Sequence, residues 1–259
     1  MKILLVSPFD FDSPGGVNEH VRQLDLQFQR LGHDTRVLAA ASDTGESDDG
    51  HVFRLGASMP IPSNGSTARL ALSPFLAGRV KQFLAAEPFD VIHLHEPLAP
   101  MLPLAVLLHS SSVNVGTFHA ARTTNIWYMY TKAILDMFFS KLDARIAVSE
   151  SAREFVDSYF PANYAIVPNG ISVEDYHPGT PPLARFADGR PNILFVGRFD
   201  ESRKGFRHLL RAMPAVRSQF PDARLLVVGQ GDGSRYERYM AQHNLGPEDV
   251  VLLASSMTV

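Results

Sequence analysis

Short apolar runs alternate with helical periodicity along almost the whole chain, and this rhythm constrains the fold more than any other feature. Ile3-Leu4-Leu5-Val6 is followed by Val17, Val21, Leu24, Phe28 and Leu31, which fall at steps of four, three, four and three. Those steps define one apolar face of a helix, closed by Gly32 at the C′ position. Thr35–Ala40, Phe89–Leu94, Asn114–Phe118, Arg145–Val148 and Ala165–Val167 read as further strands, and Ser149 is placed to cap the helix that follows the fourth of these. The polar, acidic stretch Ser42–Gly50 reads as a solvated loop, and Pro168-Asn169-Gly170 as a turn. Strands separated by helices imply βαβ units and a parallel sheet with right-handed crossovers.

Pro178–Pro191 carries four prolines and little apolar periodicity, which predicts a linker. The rhythm then restarts: strand Ile193–Val196, a helix near Phe206–Phe220, strand Leu225–Val228, a helix near Arg235–His243 and strand Val250–Leu253. The expected architecture is α/β with two Rossmann-like lobes. A complete N-terminal domain spans 1–177, a linker 178–191, and a partial C-terminal domain 192–259. Domains usually run to about 100–150 residues, so a second lobe of three strands predicts a truncated version of a longer protein.

Composition narrows the function. The net charge is −3 and no long basic run appears, which argues against a nucleic-acid partner. With no cysteine, disulfides, thiolate nucleophiles and Cys-type zinc sites are excluded. Met1 leads directly into a strand, leaving no room for a signal peptide. The most apolar stretch, Pro97–Leu108, contains three prolines and is too short to span a bilayer. These features predict a cytoplasmic protein.

Two loops, each leaving an apolar strand and opening a helix, carry the chemistry. The first holds Gly15-Gly16, whose backbone N–H groups can turn toward an anion at the positive end of a helix, although adjacent glycines also make tight βα turns. The second, Gly197–Gly205, supplies Arg198, Arg203 and Lys204, three cations within seven positions. Neutral donors from one loop and full charges from the other suit a diphosphate, with a solvated charged face as the alternative for Arg198 and Lys204. Arg203 and Arg207 are assigned to such a face. On sheets of this kind ligands sit beyond the C-terminal strand ends, where both loops fall. His93-x-His95 has the spacing of a metal pair, but no third ligand is near in sequence, which favours core or loop-supporting histidines. The helix near Leu72–Ala86 and the aromatic run Ile126-Trp127-Tyr128-Met129-Tyr130 fit either core packing or a membrane-facing surface.

Taken in order, Ser13-Pro14-Gly15-Gly16-Val17, Pro60–Leu70, His93-Leu94-His95-Glu96-Pro97, Gly116-Thr117-Phe118-His119, Val167-Pro168-Asn169-Gly170-Ile171 and Gly197–Gly205 resemble the retaining GT-B glycosyltransferases, and among them the phosphatidylinositol mannosyltransferases. The resemblance runs from Met1 to about Leu253. It implies a hexose, mannose by this resemblance, moved from a nucleotide-diphospho-sugar such as GDP-mannose to a lipid acceptor such as phosphatidylinositol, with retained anomeric configuration. It further implies donor contacts at Gly15, Gly16, Arg198 and Lys204, with Arg198 and Lys204 stabilising the departing diphosphate. His119 matches the active-site histidine near the transferred sugar, while Asp12, Asn64 and Arg69 match the acceptor-facing side. No metal site and no tightly bound cofactor are implied, and a divalent-cation requirement is left open. Peripheral contact with the anionic inner face of the cell membrane follows from the lipid acceptor. One departure stands out: the family's E-x7-E motif, which contacts donor sugar and ribose, has no equivalent in this sequence. Two rival readings accompany the main one, the same fold acting on a soluble sugar or metabolite, and a truncated, non-catalytic fragment.

Overall fold

The computed structural model describes residues 1–41, 47–48, 50–63, 66–71, 75–121, 124–174, 179–181 and 183–253. The chain divides into two compact units, the first Met1–Ile61 with Thr67–Asp175 and the second Pro62–Ser66 with Tyr176–Val259.

The first unit is built outward from β1 (Lys2–Asp10), whose Leu4, Leu5 and Val6 are fully buried. Helix α1 (Gly16–Arg30) lays Val17, Val21, Leu24 and Phe28 over Ile3 and Leu5, so the first four of the spaced apolar residues are the packed face, while Leu31, the C-cap, is 70% exposed. Next come β2 (Asp34–Ala41), β3 (Ser47–Asp48), β4 (Val52–Ser63), β5 (Ser66–Ala71), α2 (Leu76–Ala86), β6 (Val91–His95), α3 (Leu102–His109), β7 (Val113–Phe118), α4 (Ile126–Phe139), β8 (Ala144–Ala147), α5 (Glu150–Asp157) and β9 (Ala165–Ile166). The strands β4-β2-β1-β6-β7-β8-β9 run parallel in that spatial order. β3 pairs antiparallel with β4, and β5 meets β1 antiparallel at Leu70 and Phe9. Ser149 caps α5 by accepting from the Ala152 N–H, as its position predicted.

One expectation fails here, and one segment was not anticipated. The stretch read as a solvated loop contains β3, and β4–β5 went unread altogether. Pro60 and Pro62 lie within β4, and proline removes a ladder donor, so the segment does not advertise itself as a strand.

The second unit holds a three-stranded parallel sheet, β10 (Asn192–Val196), β11 (Arg224–Val228) and β12 (Val250–Leu253), in that order. Helices α6 (Phe206–Gln219) and α7 (Ser234–Gln242) connect them. Ile193 and Phe195 pack with Phe206, Leu210 and Val227, while Leu194 and Val196 on the opposite face of β10 are exposed. The end of the expected linker is tied to this unit: buried Arg224 binds both oxygens of Asp188 at 2.8 and 2.9 Å, and Arg190 donates to the Asp222 carbonyl at 2.9 Å.

Candidate functional site

In the first unit the candidate residues gather at the C-terminal ends of β1, β6 and β7. The loop after β1 is held by its own polar side chains. Buried Asp10 accepts from the Asp12 N–H at 3.1 Å and the Ser13 hydroxyl at 2.9 Å. Asn18 donates to the carbonyls of Asp10 and Ser13 and accepts from Ser7 Oγ at 2.7 Å. This framework delivers Gly15 and Gly16 to the start of α1, where both are exposed and no side chain caps the helix. Gly15 is extended, at φ −172°, a conformation open to any residue. A Cβ built on either glycine meets nothing within 4 Å. Neither local backbone nor packing therefore requires glycine at these two positions.

On the same loop Asp12 is engaged by Arg54, whose Nη2 and Nε lie 3.0 and 3.1 Å from its carboxylate. Arg69 Nε stands 3.3 Å from Asp10 Oδ2, so two of the three acceptor-side residues are brought to one loop. The third, Asn64, lies outside the described residues.

His119 sits just past β7 in a group of four histidines. Its Nε2 is 2.9 Å from His95 Nδ1. His93 stacks on His95 with centroids 4.5 Å apart, and its Nε2 lies 2.7 Å from Thr117 Oγ1. His20, on α1 one turn beyond Gly16, meets the rings of His95 and His119 edge-on, each at 5.5 Å. Burial, with a smaller contribution from neighbouring histidines, pushes His93 down to about 4 and His119 down to about 3. The same burial lowers His95 well below the ordinary imidazole range and lowers His20. All four are neutral at pH 7. Among the described residues there is no group of three or more potential metal ligands able to hold an ion.

Glu96 supports this group from below, and its role was not read from the sequence. One carboxylate oxygen accepts from the N–H groups of both His119 and Ala120 at 2.8 Å. Glu96 holds φ at +50° although Pro97 follows it, and a residue before proline is normally kept out of helical regions. Strain of this kind costs on the order of 1–3 kcal/mol and clusters at functional positions. His20 was missed for a different reason: its partners are 75 and 99 residues away, beyond any sequence pattern.

The second unit places its glycines and cations differently. Gly197 and Gly229, at the ends of β10 and β11, have φ of +141° and +150°. A Cβ on Gly229 would stand 2.1 Å from the Gly197 carbonyl oxygen. Here glycine is required by contact between backbones. Arg198 lies 3.6 Å from Asp200 and 3.5 Å from buried Glu201, which also binds Arg203 at 3.1 Å. Exposed Lys204 passes its stem near Gly197 and forms no ion pair among the described residues.

The two elements left open between core and surface separate cleanly. In α2, Leu76 and Val80 are buried and Phe83 and Leu84 pack against the core, so this helix is chiefly structural. In α4, Tyr128 and Leu135 are buried, while Ile126, Tyr130, Ile134 and Met137, at steps of four, four and three, are 69%, 83%, 59% and 66% exposed.

With this geometry in place, the similarity to known proteins can be located on it. Residues 14–175 match Glycosyltransferase Family 4, and residues 190–256 match Glycosyl transferases group 1. The chain belongs to glycosyltransferase family 4. The family match begins one residue before Gly15 and covers the whole histidine group, His20, His93, His95 and His119. Phosphatidyl-myo-inositol mannosyltransferases from Mycolicibacterium smegmatis and Mycobacterium tuberculosis are 39% and 40% identical over 90% and 91% of this chain. The chain spans about 60% of the length of these curated relatives, 60% and 62% respectively. Among solved structures, sucrose-phosphate synthase from Thermosynechococcus elongatus aligns with TM-score 0.68 at 21% identity, covering 98% of this chain and 70% of that one. Anabaena HepE in complex with UDP and glucose aligns with TM-score 0.63 at 18% identity, covering 98% and 69%. These likenesses carry the fold, an α/β architecture of the GT-B type.

Proposed function

We propose that this sequence forms part of a retaining mannosyltransferase that moves mannose from GDP-mannose to a phosphatidylinositol-type lipid. The observation that carries the donor site is the pair Gly15-Gly16, exposed at an uncapped helix start where the fold itself has no use for glycine. An approaching anionic ligand supplies the missing reason, because a Cβ there would stand in its path. The choice of mannose and of the lipid is supported by the 36–40% identity to phosphatidyl-myo-inositol mannosyltransferases.

In this reading the diphosphate takes hydrogen bonds from the first-turn amides at Gly16 and charge from Arg198 and Lys204. Breaking the sugar–phosphate bond places negative charge on the leaving phosphate, and preorganised donors aimed at that charge lower the barrier. Arg198 offers a planar fork already oriented by Asp200 and Glu201, whereas Lys204 offers a mobile point charge. His119, neutral and partly buried, contacts the sugar. Asp12, Asn64 and Arg69 are assigned to recognition of the acceptor headgroup. No helix among the described residues is long and apolar enough to cross a membrane. The exposed apolar stripe of α4 suits peripheral contact with the inner face of a bilayer instead.

The test is transfer of labelled mannose from GDP-mannose by a polypeptide carrying this sequence, with phosphatidylinositol vesicles, vesicles lacking that lipid, and soluble sugars as acceptors. Transfer confined to the phosphatidylinositol vesicles is expected. Equal or faster transfer to a soluble sugar would replace the lipid reading with its rival.

A further inference from the structure

His95 has a hydrogen-bonding imbalance that determines what its neighbour can do. The residue is fully buried, with Nδ1 2.9 Å from His119 Nε2 and with Nε2 lacking any partner. A neutral imidazole has one proton for two nitrogens, so two arrangements exist. With the proton on Nε2, His95 would bury an N–H that has no acceptor and would accept at Nδ1 from His119. With the proton on Nδ1, His95 donates to His119 and leaves only a lone pair unmatched. Orphaned buried N–H groups are rarer in folded proteins than under-used acceptors. The second arrangement is the better one.

We propose that His95 is a positioning residue that donates from Nδ1 to His119 Nε2 and thereby holds His119 as its Nδ1–H tautomer. The ring of His95 is held for this purpose, stacked by His93 at 4.5 Å and met edge-on by His20 at 5.5 Å. Glu96 fixes the backbone of His119 through its N–H. With Nε2 occupied, His119 has one free polar edge, and that edge is a donor. It cannot take a proton from a substrate there. What it can bind is an oxygen lone pair, on a sugar hydroxyl or a phosphate. This deepens the reading that His119 contacts the sugar and rests on that reading only for the identity of the ligand.

The test uses the 259-residue chain labelled with ¹⁵N-histidine, in long-range ¹H–¹⁵N spectra at pH 7.5, with H119Q identifying the His119 signals. The wild-type chain is expected to show His119 with a protonated Nδ1 and an unprotonated Nε2. In H95F, which keeps a ring but loses the donor, His119 is expected to shift toward the Nε2–H form, and H95N, whose amide can donate again, to restore Nδ1–H. An Nε2–H His119 in the wild-type chain would overturn the proposal even if neither His95 variant folds. So would an unchanged Nδ1–H population in a folded H95F. These spectra need no substrate, so their outcome is separate from that of the transfer assay. If both readings hold, H95F lowers transfer on the order of tenfold and H95N recovers it, by analogy with the outer partners that orient metal-binding histidines.

Discussion

The two glycine-bearing strand ends look alike in sequence and differ in what enforces them. Gly197 and Gly229 are held by the fold, Gly197 by its φ of +141° and Gly229 because a side-chain atom there would collide with the Gly197 carbonyl at 2.1 Å. Gly15 and Gly16 are held by nothing in the first unit, where the same added atom meets open space within 4 Å. Their polar surroundings differ as well. The first unit buries neutral histidines with unmatched nitrogens, whereas the second presents Arg198 and Lys204 at the surface. The contrast separates glycines that build a protein from glycines that leave room for something else.

Replacing Gly229 by alanine gives the largest effect. Its φ of +150° already disfavours a side chain, and the carbonyl contact leaves no room for one. A destabilisation of more than about 4 kcal/mol places it in the exceptional range for single substitutions. Hydrogen exchange locates the damage: amides of β10 and β11 should lose protection while those of β1 and β6 keep it. Ordinary protection across β10 in G229A would erase the contrast from the structural side.

Acid should act on the opposite unit. His93 and His119 have folded values of about 4 and about 3, lowered by burial from about 6.5. Above pH 6.5 they are neutral whether folded or unfolded, so stability is complete there. As the pH falls below 6.5 the unfolded chain takes up protons that the folded chain refuses, and stability declines until about pH 4 for His93 and about pH 3 for His119. By pH 5 this amounts to on the order of 2 kcal/mol for each of the two. His208 and His243 of the second unit are exposed. A thermal melt unchanged between pH 7.5 and 5, or acid loss of protection first in β10 and β11, would contradict this division.

How far these features could be read in advance follows from distance along the chain. The βα rhythm is local, so Ile3–Val6 and α1 were plain from apolar spacing alone. Strands β4 and β5 were hidden because Pro60 and Pro62 interrupt the pattern. The glycines and the Arg198–Lys204 cations are contiguous and were visible as candidates. The histidine group was not, because α1, β6 and the end of β7 converge only in three dimensions. Glu96 ran against its own local signal, holding positive φ before a proline.

Lys204 sharpens the contrast from the functional side. Its side chain is exposed and has no ionic partner among the described residues, so truncation should leave folding intact. If it stabilises the leaving diphosphate, K204A costs about 3 kcal/mol of barrier, roughly a hundredfold in kcat/KM, by analogy with lost oxyanion donors. R198A is a less clean probe, because it also strips a cation from buried Glu201. Unchanged transfer by K204A would remove this lysine from the site.

The smallest stability effect belongs to Gly16 and is the most informative. At the first position of α1, with no contact to lose, alanine should leave the melting temperature unchanged or raise it, within about 1 kcal/mol. Gly78 provides the control, since it lies inside α2 and its added Cβ also meets nothing within 4 Å. G78A and G16A should therefore behave alike in thermal melts and diverge in calorimetric titration with GDP-mannose, where only G16A weakens binding. Equal binding by both would mean that the open space beside Gly16 is ordinary solvent. Weakened binding at undiminished stability has no explanation within the folded chain alone, and it requires a ligand whose atoms come where the methyl group now stands.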